Sequence, residues 1–133
     1  MAKSDKPVAI ITGGSRGVGE ATAIFLAKKG WNITITCTSS IEDAKKVVER
    51  CNKLGADAIA LSADVSEDTS CRETVSATAN KWGRIDSLVN NAGTTKFVFD
   101  HSNLEGLDAE DFLKIYKVTY ASGFYQEEVG FVL

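Results

Sequence analysis

With 133 residues, 44% of them apolar and 25% charged, the chain has the make-up of one ordinary folded domain and not of a fibre or a disordered tail. Its formal charge of −3 offers no general attraction to nucleic acid or acidic membranes, and no apolar run approaches a membrane span. The opening residues Met1 to Pro7 lack the apolar centre of a signal peptide, so a cytoplasmic location is expected, with no nucleic-acid or membrane partner.

Val8-Ala9-Ile10-Ile11 is apolar without alternation and lies between Pro7 and a glycine cluster, which predicts a strand over 7–12 buried on both faces. Val18 to Lys29 is dense in Ala, Ile, Phe and Leu and is followed by Gly30, which predicts a buried helix. Asn32 to Cys37 is short and β-branched, a second strand. Ser40 and Asp43 then give a cap-like start to an amphipathic helix with Ile41, Ala44, Val48 and Cys51 inward, Val47 and Leu54 beside them, and Gly55 at its end.

Ala58 to Leu61 reads as strand three. Ser66 is placed to cap a third helix, with Glu67 and Asp68 in its first turn, Cys71, Val75, Thr78 and Trp82 as its inner stripe and Gly83 at its close. Ile85 to Val89 is strand four. A polar loop from Asn90 to about Leu107 leads to Asp108, which caps a helix carrying Phe112, Ile115 and Tyr116. Strand and helix alternate throughout, so the expected fold is α/β: one domain over 1–133, a doubly wound parallel sheet in the order 3-2-1-4.

Cys37, Cys51 and Cys71 lack the spacing of a zinc or redox pair and read as buried free thiols. His101, the single histidine, stands without other ligand types around it and reads as a loop residue, so no metal site is expected.

Thr12-Gly13-Gly14-Ser15-Arg16-Gly17-Val18-Gly19 falls where strand one turns into the first helix, the place at which such sheets bind dinucleotides. Gly13 permits the tight turn, Gly17 lets backbone approach a diphosphate, and Gly19 lets the helix pack close. The free amides at the helix start then face the anion. Gly19 is followed by Glu20 and Ala21, not by Lys and a hydroxyl residue, which disfavours a nucleoside-triphosphate P-loop.

The spacing Thr-Gly-x-x-x-Gly-x-Gly, together with Asn90-Asn91-Ala92-Gly93 after strand four and Asp64-Val65 after strand three, resembles the short-chain dehydrogenase/reductase family from about Pro7 to Phe124. The resemblance implies a Rossmann-like fold binding a nicotinamide dinucleotide. Gly13, Ser15, Arg16, Gly17, Val18 and Gly19 would hold the phosphates, Asp64 and Val65 the adenine, and Asn91, Ala92 and Gly93 the adenine ribose.

An NAD site usually carries an acid at the end of strand two, whereas Thr36 to Ile41 contains none. Thr38, Ser39 and Ser40 offer hydroxyl donors and Arg16 a countercharge to a 2′-phosphate, so NADP(H) is expected over NAD(H). The resemblance supports this, because an Arg at that place in the turn recurs in NADP-using members.

The family's acid/base pair is a Tyr with a Lys four residues later, helped by a Ser and an Asn. Four residues after Tyr116, Tyr120 and Tyr125 stand Tyr120, Phe124 and Val129, and Thr119 occupies the place where the Asn is expected. The tail Gln126 to Leu133 departs from the usual apolar helix, so the chain reads as the front part of the fold, truncated after the helix that follows strand four. Strand four would then be an edge open to self-association or to a missing half.

The reading is thus an NADP(H)-dependent oxidoreductase acting on a small carbonyl or alcohol substrate, present as its cofactor-binding half and inactive alone; a complete member would form homo-oligomers. A non-catalytic NADP(H) sensor is the alternative. A methyltransferase is disfavoured by the missing acid after strand two.

Overall fold

The computed structural model describes residues 3–93, 102–103 and 105–120, the last two without their side chains. The expectations for His101 and for the tail from residue 126 lie outside the described residues, as does the side chain of Thr119. The elements run β1 (Val8–Ile11), α1 (Gly17–Lys28), β2 (Asn32–Cys37), α2 (Ile41–Lys53), β3 (Ala58–Ser62), α3 (Asp68–Trp82), β4 (Ser87–Val89) and α4 (Ala109–Tyr120). The four strands form one parallel sheet in the order β3-β2-β1-β4, as the alternating pattern predicted.

Both faces of the sheet are covered, which is why β1 and β2 are buried along their whole length. On one face Ile11, Ile33 and Ile35 pack with Ala23 and Ala27 of α1 and with Ala44, Val47 and Cys51 of α2. On the other, Ile10 and Leu88 meet Val65, Cys71 and Val75, and Val118 of α4 packs against that cluster. Each fully buried Ile or Leu here stabilises the fold by about 1.5–3 kcal/mol relative to exposure. Cys37, Cys51 and Cys71 are all buried and free.

A polar contact joins sheet and helix on that second face. Thr34 of β2 and Thr78 of α3 are both fully buried, with their hydroxyls 2.8 Å apart. Thr78 Oγ1 donates to the Thr74 carbonyl at 2.8 Å, so the Thr34 hydroxyl is the natural donor to Thr78.

Several local expectations are corrected. Ser66 does not cap α3: Glu67 holds the N-cap position, because the Ser66 amide and hydroxyl are both engaged by Asp64 Oδ1, at 2.9 and 2.6 Å. Ser40 stands at the N-cap of α2 but makes no side-chain cap bond. Leu54 is exposed. Helix α1 is buried only along Gly19, Ala23 and Ala27, while Val18 and Phe25 are 75% and 58% exposed. Dense apolar composition overstated its burial, since only one helical face can meet the sheet. Strand β4 is shorter than expected and starts at Ser87, although the Asp86 amide still donates to the Val8 carbonyl at 2.8 Å. The expected Asp108 cap is present as a reciprocal pair: Asp108 Oδ1 accepts from the Asp111 amide and Asp111 Oδ2 from the Asp108 amide.

The lower end of the sheet is tied by charge. Arg84 grips Asp86 through two nitrogens, at 2.8 and 2.6 Å, and donates to the Ser4 carbonyl, while Asp86 Oδ2 also accepts from the Val8 amide. The Arg84 hydrogen bonds hold the Asp86 carboxyl below its ordinary range, against burial that pushes it up, and the Val8 amide assists. A carboxyl lowered in the folded state stabilises the fold above the unfolded chain's pKa, and that contribution is lost as pH falls through the folded value. Asp86→Asn is therefore expected to cost about 1–2 kcal/mol at pH 7. Thermal melts of the two proteins should converge as pH falls below the ordinary carboxylate range; an unchanged gap would mean the carboxylate is not the stabilising form.

Candidate functional site

The upper ends of β1, β2 and β3 surround a cleft of ≈ 540 Å³, a size suited to a nucleotide-scale ligand. Its architecture begins at Thr12. This residue is 1% exposed, and its hydroxyl oxygen accepts from the amides of Asn91 and Ala92 at 3.0 Å each. Asn91 Nδ2 returns a bond to the Gly13 carbonyl at 3.1 Å. The glycine turn after β1 and the Asn-Asn-Ala-Gly segment after β4 are thus one hydrogen-bonded unit.

Three glycines in the turn are needed for three reasons. At Gly19 a Cβ would stand 2.3 Å from the Gly13 carbonyl oxygen and 2.6 Å from Asn91 Nδ2. At Gly14 it would meet Ile35 at 2.6 Å, a close approach to β2 that the motif spacing did not reveal. Gly17 has φ +59 and no protein atom within 4 Å of a Cβ, so its left-handed conformation and not protein packing selects glycine there. Arg16 is the N-cap of α1, in extended conformation and without a side-chain cap bond. The first-turn amides of Gly17, Val18 and Gly19 find no acceptor within the helix and can bind an anion.

Most of the expected site residues converge. Gly13, Ser15 and Arg16 line the cleft from the turn, Thr38 and Ser39 from the end of β2, Asp64 and Val65 from the end of β3, and Asn91, Ala92 and Gly93 from the end of β4. Gly17, Val18 and Gly19 do not line it; they open α1, and the Val18 side chain points to solvent. The motifs did not expose the roles of Thr36, whose hydroxyl accepts from the Gly13 amide at 3.4 Å, or of Lys114 and Val118, which reach the cleft from α4. The signal for the last two was their four-residue spacing on one helical face.

Charge varies along the cleft. Burial pushes the Cys37 thiol above its ordinary pKa, with the Ser40 backbone opposing, so the end of β2 carries no anion at neutral pH. Asp64 is held low by hydrogen bonds from the Ser66 hydroxyl and amide, with Lys114 adding a smaller lowering, and stays ionised. Arg16 and Lys114 are the cations among the lining residues. No group of metal-ligating side chains occurs among the described residues, and none of their helices is long and apolar enough to cross a membrane.

A family model described as short chain dehydrogenase matches residues 7–126. The chain is 35% identical over 121 residues to a short-chain dehydrogenase/reductase of Pestalotiopsis microspora, covering 91% of this chain and 44% of that protein. It is 38% identical over 118 residues to an uncharacterized oxidoreductase of Methylorubrum extorquens, covering 89% and 46%. A crystal structure of a short chain dehydrogenase from Burkholderia cenocepacia in complex with NADP superposes with a TM-score of 0.83 at 33% identity, covering 95% of this chain and 51% of that one. The chain therefore spans about half the length of the proteins it matches.

Proposed function

The chain belongs to the short-chain dehydrogenase family, and from that premise we propose that it forms a single domain holding NADP(H) for an oxidoreductase that moves hydride between nicotinamide and a small carbonyl or alcohol compound. The observation that carries this reading is the uncapped start of α1, bonded through Thr12 and Asn91 to the end of β4 and set beside the cleft. When bound, the cofactor's nicotinamide supplies or accepts the hydride. The chain's own residues bind and orient: the first-turn amides take the diphosphate, and Asp64 and Val65 meet the base. Asn91, Ala92 and Gly93 meet its ribose.

Arg16, Thr38 and Ser39 support NADP(H) over NAD(H). They stand around one cleft in which the end of β2 offers hydroxyl donors and an un-ionised thiol where an NAD site would offer a carboxylate. No tyrosine in the sequence is followed four positions later by lysine, so the reading gives this chain the binding and not the proton transfer. Further copies of the protein are its expected partners at full length.

Titration of the full chain with NADPH and NADH tests the reading. NADPH should bind about tenfold or more tighter, the difference of one charge-assisted contact. Aldehydes and ketones should elicit no NADPH oxidation. Tighter NADH binding would overturn the cofactor preference, absence of any binding the functional reading, and carbonyl-dependent oxidation the assignment of binding alone.

A further inference from the structure

Lys114 plays no part in the function proposed above, yet it lines the same cleft. It lies one helical turn before Val118, so the two share a face of α4. Val118 packs onto the cluster that contains Val65 and borders Ala92, which turns this face toward the end of β3. Lys114 therefore stands at the rim, above an apolar patch.

Asp64 is the acidic residue of the lining. Its Oδ1 is saturated by the Ser66 amide and hydroxyl at 2.9 and 2.6 Å, whereas Oδ2 has no hydrogen-bond donor among the described residues. Lys114 is near enough for its charge to act on this carboxylate, and its ammonium has no hydrogen-bond acceptor among the described residues. Val65, Ala92 and Val118 thus make apolar walls, with one free acceptor and one free donor at the edges.

A planar nitrogen heterocycle matches that arrangement: its faces seek apolar walls, an exocyclic amine seeks an acceptor, and a ring nitrogen seeks a donor. Sugars and phosphates have no use for the walls. Resting on the nucleotide-binding reading, we propose that Lys114 is a positioning residue for the base, forming with Asp64 the two polar edges of a base slot separate from the Arg16, Thr38 and Ser39 group. Its four-carbon stem covers the base while the ammonium reaches the edge.

Lys114→Met tests this by keeping the stem and removing the charge. In the full chain it should weaken NADPH, NADH and ADP-ribose alike by about three- to tenfold, the size of one partly solvated hydrogen bond. Lys114→Arg should keep affinity within about twofold, and melting temperatures should not move, since the residue is exposed. Unchanged affinities, a loss confined to NADPH, or failure of Arg to rescue would overturn the proposal. Binding of all three ligands by the wild-type chain with no effect of Met defeats this inference alone. Absence of wild-type binding defeats the functional reading beneath it.

Discussion

Gly19→Val is expected to abolish measurable NADPH binding and to disturb the packing of the glycine turn, whereas Gly17→Ala leaves that packing intact, although both glycines belong to the same turn. The new Cβ at Gly19 would overlap the Gly13 carbonyl oxygen and the Asn91 amide, and neither can retreat. Asn91 is fixed to Thr12 through its backbone, and its side chain already donates to that carbonyl. The turn must shift, carrying the first-turn amides off the diphosphate. Forfeiting two charge-assisted bonds at about 1.5 kcal/mol each weakens binding by about a hundredfold, and overpacking costs about 1–3 kcal/mol of stability as well. At Gly17 a methyl group meets no protein atom, so the cost to the fold is the left-handed backbone alone, about 1–2 kcal/mol. Calorimetric titration with NADPH beside thermal melts checks both, and near-wild-type NADPH affinity in Gly19→Val would show that the Gly19 contact does not control the amides.

The second large effect concerns cofactor choice. Thr38→Asp combined with Arg16→Ala should reverse the preference from NADPH to NADH. The double variant removes the guanidinium at the cleft and places a carboxylate at the end of β2, where the wild-type lining carries only hydroxyls and a protonated thiol. Loss of an Arg contact to phosphate is worth about 1.5–3 kcal/mol, or about ten- to a hundredfold, and the added like charge extends the loss. A carboxylate there can also accept from a ribose 2′-hydroxyl, so NADH affinity should hold or rise. The ratio of the two dissociation constants, measured by quenching of protein fluorescence, reads the effect. A ratio that does not change would place the 2′-phosphate elsewhere.

What the sequence disclosed follows from how each signal arises. Strand β1 was legible because a sheet covered on both faces needs an unbroken apolar run, and Asn32–Cys37, short and β-branched, was placed to the residue. Helix α2 was legible because its charged and apolar faces separate cleanly, with Ala44, Val47 and Cys51 inward. Helix α1 offered no such contrast: its buried face is made of Gly19, Ala23 and Ala27, small residues chosen for close approach, while the bulkier Val18 and Phe25 lie outside. Ser66 misled because a hydroxyl residue before an acidic first turn serves equally as a cap or as a partner of Asp64.

The site was legible where it is made of backbone. Gly13, Gly19 and the Asn91 segment announce themselves by residue types that tolerate close approach. Lys114 could not be read in this way. It is an exposed lysine fifty residues from Asp64 in sequence, and only the packing of Val118 against the sheet brings the two to one cleft.

The hydroxyl pair Thr34 and Thr78 constrains how this protein can change over generations. Thr78→Val alone strands the Thr34 hydroxyl in a dry interior, at about 1–3 kcal/mol, whereas Thr34→Val leaves the Thr78 hydroxyl its bond to the Thr74 carbonyl and Val at both is close to neutral. A lineage can therefore cross to the apolar solution more easily by changing β2 first, so the order of substitution is biased at one pair of positions with no part in ligand contact.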